Sequence, residues 1–314
     1  MRHIRLGTRG STLALQQAAL VANALHAAHP DISLQTITIT THGDIVSGQH
    51  AADIDTPGIF TKELERELAA GRIDIAVHSL KDLPTLLHPE LCLAAVLKRE
   101  HPLDVLVSQH APRFDALPRG ARIGTSSIRR TAQIRSFRSD LTVVPVRGNI
   151  ETRLRKMREH FCDALVLAHA ALVRLGLETM IVEVIPPHIM LPAPGQGAVA
   201  VEVRERDTEL RTLCIPINDL KTFRETEAER AFLRRLGAGC HMPAGCLART
   251  NEDTMTIQGC IVAPDGSTSV SSTLHGRADD NTEALGIALA EKLLAQGGAE
   301  MLEHVRKTDA SWFG

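Results

Sequence analysis

Across residues 3–174 short apolar runs alternate with segments of helical period, and that alternation most restricts the fold. His3 to Gly7 reads as a strand, Leu13 to Ala28 as a helix, and Leu34 to Thr40 as a half-buried strand. Gly58 to Ala70 reads as a helix, Ile73 to Val77 and Leu91 to Leu97 as strands. The pattern continues with strands at Val105 to Val107, Leu141 to Val146 and Ala164 to Ala168, and helices from about Ser127 and from Asn149. Strand and helix in turn favour an α/β fold with parallel central strands. Helices that open on Ser, Thr or Asn just after a strand offer N–H groups to anions.

Two breaks interrupt the alternation, KREHP at 98–102 and LPAPGQG at 191–197. Residues 204–220 read as polar and irregular. From Lys221 a helix, strands around Met255 to Val262, a Pro-Asp-Gly turn at 264–266 and a helix from about Thr282 suggest a small α+β domain. No internal repeat is visible. Residues 42–57 (HGDIVSGQHAADIDTP) lack periodicity and read as a long loop of the kind that carries function.

Composition excludes several classes. With a formal net charge of −2, no global basic field draws nucleic acid or membrane, so any positive site is made locally. One Trp, seven Phe and no Tyr argue against a stacking surface for single strands. No segment is long enough to span a bilayer, and MRHIRLGTRGS lacks a signal peptide's apolar stretch. The expectation is a cytoplasmic protein whose six cysteines (92, 162, 214, 240, 246, 260) are reduced. No HExxH, GxGxxG or GxxxxGK[ST] occurs, so no metal and no nucleotide is expected.

Three local patterns carry chemistry. Arginines sit at strand-to-helix edges: Arg9 in GTRGS, Arg129 and Arg130 after Gly124-Thr125-Ser126-Ser127, Arg147 before Gly148-Asn149, Arg153 on the next helix, and Arg174 in VRLG. Guanidinium forks bind carboxylates bidentately, so this set suits a ligand with many carboxylates. Solvated surface arginines are the plainer alternative, and phosphate fits GTSSIRR equally well. The second pattern is HSLKDLP at 78–84, after a strand, where open α/β sheets bind ligands. Lys81 and Asp82 there form either a surface ion pair or a couple in which Asp82 faces a developing cation and Lys81 an anion. The third is Cys240 in LRRLGAGCHMPAG, one thiol amid glycines with no second cysteine at zinc spacing.

In order, GTRGS with LALQQA, AVHSLKDLP, GTSSIRR, VRGNIETRL, LPAPGQGA and GAGCHMPAG resemble the motifs of the porphobilinogen deaminase (hydroxymethylbilane synthase) family, over nearly the whole chain. The resemblance implies an α/β fold of two periplasmic-binding-protein type II-like domains with a cleft between them, plus a small α+β C-terminal domain. It places domain 1 at 1–97 and 198–217, domain 2 at 98–197, and domain 3, carrying the cysteine loop, at 218–314. It implies a transferase that condenses four porphobilinogens head to tail into hydroxymethylbilane, releasing ammonia, in tetrapyrrole (haem) biosynthesis. A dipyrromethane primer is then held by a thioether to Cys240, and Cys246 is structural.

By the same resemblance Asp82 and Lys81 are catalytic. Ser79, Lys81, Asp82, Thr125, Ser126, Ser127, Arg129, Arg130, Arg147 and Gly148 hold the cofactor. Arg9, Ser11, Gln17, Phe60, Arg147, Arg153 and Arg174 bind substrate. A monomer is expected, since a cleft needs no partner. The loop departs from the family: THGD (41–44) stands for TRGD, DTPGIFTKE (55–63) for GGKGLFTKE, and His241 for Gln. His42 and Asp55-Thr56-Pro57 thus remove positive charge and add a rigid Pro. The competing reading is a two-lobed anion receptor, which has no use for the Cys240 loop.

Overall fold

The computed structural model describes residues 3–41, 61–237, 242–279 and 281–303. In chain order its first elements are β1 (His3–Arg9), α1 (Thr12–Ala28), β2 (Ser33–Ile39), α2 (Lys62–Ala69), β3 (Ile75–Ser79) and β4 (Leu91–Val96). Then come β5 (Asp104–Ser108), β6 (Arg122–Gly124), α3 (Ile128–Phe137), β7 (Thr142–Val144), α4 (Ile150–Arg158), β8 (Ala164–Ala168), α5 (His169–Arg174) and β9 (Glu183–Val184). The last are β10 (Val199–Arg204), α6 (Thr208–Cys214), α7 (Leu220–Arg235), β11 (Ala244–Asn251), β12 (Thr254–Val262), β13 (Ser269–Arg277) and α8 (Thr282–Leu293).

The chain divides into two compact units, residues 1–100 with 197–223, and 101–196 with 224–314. The first is built on a five-stranded sheet of order β2-β1-β3-β10-β4. β1 runs parallel to β2 and β3, and β10 antiparallel to β3 and β4. α1 forms because Ala14, Gln17, Ala18, Val21 and Leu25 recur at helical spacing and bury one stripe. Ser11 caps its start, and the helix stops at His29, before Pro30. On one set of sheet positions Leu6, Val77, Val199 and Val201 pack with this stripe, while Leu64 and Leu68 of α2 pack with Ile73, Ala76 and Leu91.

The second unit carries a five-stranded sheet of order β7-β6-β8-β5-β9 and a three-stranded antiparallel sheet, β11-β12-β13. In the five-stranded sheet β6 is parallel to β7 and β8, and β5 is antiparallel to β8 and β9. Three parallel strands followed by an antiparallel pair of contacts is the same layout as in the first unit, although the sequence shows no repeat. One face of the small sheet buries Cys246, Ala248, Met255 and Ile257 against Phe232 of α7 and Leu289 of α8. Its other face reaches the rest of the unit through Leu247, Cys260 and Val262, which pack on Leu103, Ala132 and Leu191. The Pro-Asp-Gly turn is present, with Gly266 at φ +78°.

The first unit takes up the chain through Glu100 and again from Gly197, at the two breaks legible in the sequence. The segments expected as domains 2 and 3 share one compact unit here, and their separation into two domains is a proposal. Residues 204–220 are not irregular. They hold the end of β10 and α6, which Asp207 caps by accepting from Leu210 N at 3.1 Å. Only Leu210 and Cys214 of that helix are buried, too few to give a periodic signal.

Candidate active site

In the first unit the expected site residues gather at the C-terminal ends of two neighbouring parallel strands. β1 ends at Arg9, and Ser11 follows as the cap of α1, its Oγ accepting from Ala14 N at 3.3 Å. β3 ends at Ser79 and runs into a single 3₁₀ turn, Leu80–Asp82. Leu80 and Leu83 are buried at either side of half-buried Lys81 and Asp82. Two apolar anchors thus hold a turn that displays a cation and a carboxylate between them. Leu80 N donates to Ala198 O at 3.1 Å and Leu83 N to Leu80 O at 3.2 Å, which fixes the turn's backbone.

Gln17, expected to meet substrate, is 3% exposed. Its Nε2 donates to Ser79 Oγ at 2.9 Å and its Oε1 accepts from the same hydroxyl at 3.1 Å. In this arrangement Gln17 positions Ser79 and ties α1 to the end of β3. On the neighbouring strand position His78 Nε2 lies 3.1 Å from Glu202 Oε2, both side chains buried. Neither of these two was singled out by the sequence.

In the second unit the equivalent strand ends carry the other expected residues. After β6, Thr125 is buried, its N–H donates to Val144 O at 3.0 Å, and its Oγ1 accepts from Ser127 N at 3.2 Å. Ser127 caps α3, accepting from Arg130 N at 3.4 Å. Between them the Ser126 hydroxyl oxygen is buried without a hydrogen-bond partner among the described residues, a state that costs free energy until something bonds it. After parallel β7 come Arg147 and Gly148, then Asn149, which caps α4 by accepting from Thr152 N at 2.9 Å. Gly148 has φ +111°, a backbone region that side chains disfavour. Arg153 Nε donates to Gly148 O at 2.8 Å and so braces that turn. Arg174 closes α5.

Arg129 and Arg130 are buried rather than displayed, and the reason is Asp104, which opens β5. Arg129 Nη1 donates to Asp104 Oδ2 at 2.7 Å and to Leu191 O at 2.7 Å. Arg130 donates to Asp104 Oδ1 from Nη2 at 2.7 Å and from Nε at 3.1 Å, and to Val166 O from Nη1 at 2.9 Å. Gln196 Nε2 adds a bond to Oδ1 at 3.0 Å, and Gln133 holds both ends of the Leu191 peptide. Burial would raise the Asp104 carboxyl, but the two guanidinium groups outweigh it and hold it well below the usual range. For Arg130 burial lowers the pKa, Asp104 opposes that, and the like charge of Arg129 adds to the lowering. One carboxylate thus faces two buried cations.

The sequence carries a signal for Asp104 as well: a charge inside the apolar run LDVLV must be paired within the fold. Phe60, Cys240, His42, His241 and the 42–57 loop lie outside the described residues.

A family profile described as the porphobilinogen deaminase dipyromethane cofactor binding domain matches residues 4–212, and one for the C-terminal domain of porphobilinogen deaminase matches residues 223–295. The chain is 47% identical to a porphobilinogen deaminase of Syntrophomonas wolfei, covering 98% of this chain and 100% of that one. It is 48% identical to one of Roseiflexus sp. (95% of this chain, 97% of that one) and 46% identical to one of Pelotomaculum thermopropionicum (98% and 98%). Among solved structures it is similar to the periplasmic VFT2 domain of BvgS from Bordetella pertussis, with a TM-score of 0.40 and 14% identity over 68% of this chain and 86% of that one.

Proposed function

The chain belongs to the porphobilinogen deaminase family, and from that premise we propose that it condenses four porphobilinogens head to tail into hydroxymethylbilane, with release of ammonia, on a covalent dipyrromethane primer. That is a transferase reaction of tetrapyrrole biosynthesis. The observation that carries the site assignment is the surplus of buried positive charge at Arg129 and Arg130 over Asp104, beside the unpartnered Ser126 hydroxyl. A buried cation excess favours an anionic occupant, and each pyrrole unit of the primer or of substrate brings two carboxylates. The residues present therefore fit the group. Bound by a thioether at Cys240, it would supply the pyrrole from which the product chain is extended.

The roles of the chain's own residues follow from where they stand. Thr125, Ser126, Ser127, Arg147 and Gly148 would hold carboxylates of the primer at the strand ends of the second unit, with Arg129 and Arg130 supplying the field behind them. Arg9, Ser11, Arg153 and Arg174 would take those of substrate, and Phe60 would flank its ring. Lys81 meets an anion. Asp82 faces the cation that develops as ammonia leaves, and accepts the proton lost when the next carbon–carbon bond is made. A fixed carboxylate screened from water stabilises such charge far more than one in solution. Ser79 and Gln17 keep that turn in place. We read the protein as a cytoplasmic monomer acting without nucleic acid; no described helix is long and apolar enough to cross a membrane.

Intact mass of the purified chain tests the reading. The expected result is one dipyrromethane adduct, absent in Cys240→Ala and retained in Cys246→Ala. Cys246 lies fully buried on β11. An adduct on Cys246, or none in active protein, overturns the assignment.

A further inference from the structure

Within the second unit an open groove of about 620 Å³ runs between the small sheet and the segment that leaves β9. Its volume lies in the range of roughly 300–1,000 Å³ typical of small-molecule sites. Side chains alternate along a strand, so Leu247, Arg249 and Asn251 project from one face of β11. Leu247 is paired with Gln258 and Arg249 with Thr256 across β12, which brings all five to the same face. At the Leu247 end this face is packed on Leu103 and Leu191. Leu247, Arg249, Asn251, Thr256 and Gln258 line the groove from this face. The opposite wall is Val184, Pro186 and Pro187, with His101 and Leu103 also lining it.

The two walls differ in chemistry. One is apolar and stiffened by two consecutive prolines. The other carries, past Leu247, a row of polar side chains: Thr256 Oγ1 lies 3.0 Å from His275 Nδ1, while among the described residues Arg249 makes no ion pair and the Asn251 and Gln258 amides make no hydrogen bond. Among the described residues no Asp or Glu lines the groove. Of the acids that flank lining residues in sequence, Glu183 is engaged elsewhere, its Oε2 accepting from Phe114 N at 2.6 Å, and Glu252 stands exposed in the turn between β11 and β12. β9 is the strand at the edge opposite β7, and β7 leads to Arg147 and Gly148. None of the described candidate active-site residues lines this groove.

We propose that the groove is a second ligand site, for a small aryl carboxylate whose flat body lies on the proline wall and whose carboxylate takes the Arg249 guanidinium with the Gln258 or Asn251 amide. A neutral ring lacks the charge that the unpaired guanidinium seeks, and a cation is repelled by it. The apolar wall disfavours a bare inorganic anion, which gains nothing from covering prolines.

Titration calorimetry with 2-naphthoate on the full chain tests this. One molecule binds per chain, with a dissociation constant at or below about 1 mM, the strength suited to so small a ligand. The neutral isostere 2-naphthamide binds at least about tenfold more weakly, and Arg249→Gln weakens 2-naphthoate by a similar factor, as expected for one lost charge-assisted hydrogen bond. Arg249 is exposed, so an unchanged thermal melt accompanies the variant. No saturable binding, equal affinity for the amide, or indifference to Arg249→Gln each overturns the proposal.

Discussion

Arg130 grips Asp104 through two donors on one oxygen, Nη2 at 2.7 Å and Nε at 3.1 Å from Oδ1, with both side chains buried. Removing the carboxylate leaves two cations without their partner. Asp104→Asn is expected to destabilise the fold by about 3–5 kcal/mol, the cost of breaking a buried pair. Urea unfolding at neutral pH measures it, as a lower midpoint at an unchanged slope. Arg130→Leu removes both guanidinium donors from Asp104 Oδ1 and leaves the carboxylate to Arg129 and Gln196, so its loss of activity is accompanied by a loss of stability smaller than that of Asp104→Asn, and Arg130→Lys restores little because the fork is gone.

Asp74 gives a pH dependence of known sign. Burial would raise its carboxyl, but bonds from Arg5 and Arg204 outweigh burial and bring it from 3.8 down to about 2. A depressed carboxylate stabilises the folded state fully above its unfolded value. That contribution is lost as pH falls from 3.8 towards about 2. The stability gap between wild type and Asp74→Asn is therefore constant from pH 5 to 8 and closes below about pH 4. A gap that widens in acid contradicts the pairing. Arg5 lies near the start of β1, away from the strand ends that carry the site, so activity at neutral pH changes little.

For Asp82 the expected order of single-turnover rate with porphobilinogen is wild type, then Asp82→Glu, then Asp82→Asn. The Asn variant keeps shape but loses charge, and removal of one such electrostatic contact costs on the order of a hundredfold or more in kcat. Leu80 and Leu83 anchor the turn independently of Asp82, so thermal melts of all three coincide. An Asn variant as fast as wild type removes Asp82 from the mechanism.

Gly148→Ala tests the turn after β7. At φ +111° an added Cβ would lie 2.7 Å from Thr152 Cγ2 and 2.9 Å from its Cβ. The backbone strain alone is worth about 1–3 kcal/mol. The midpoint of unfolding should fall accordingly, and Thr152→Ser should restore part of it by removing the nearer contact. A neutral Gly148→Ala would mean that the turn relaxes freely and does not hold Arg147 and Asn149 in register.

By itself the sequence determined what short-range chemistry governs. Periodicity placed most strands and helices. Ser11, Ser127 and Asn149 could be read as caps because a cap bonds a backbone N–H three residues on. Lys81 and Asp82 were legible as a pair just past a strand end, and the buried leucines on either side, Leu80 and Leu83, are what the structure adds. Strand β3 begins at Ile75, two residues past the apolar Ile73 at which periodicity starts it, because Asp74 between them is taken up by Arg5. What only the tertiary structure decided rests on partners far apart in the chain. Asp104 meets Arg129 across 25 residues, Gln17 meets Ser79 across 62, and His78 meets Glu202 across 124. No local pattern specifies which distant group satisfies a buried charge or amide. Once buried, each must find one, and the sheet order that sets β10 beside β3 and β5 beside β8 determines which groups are near enough to serve.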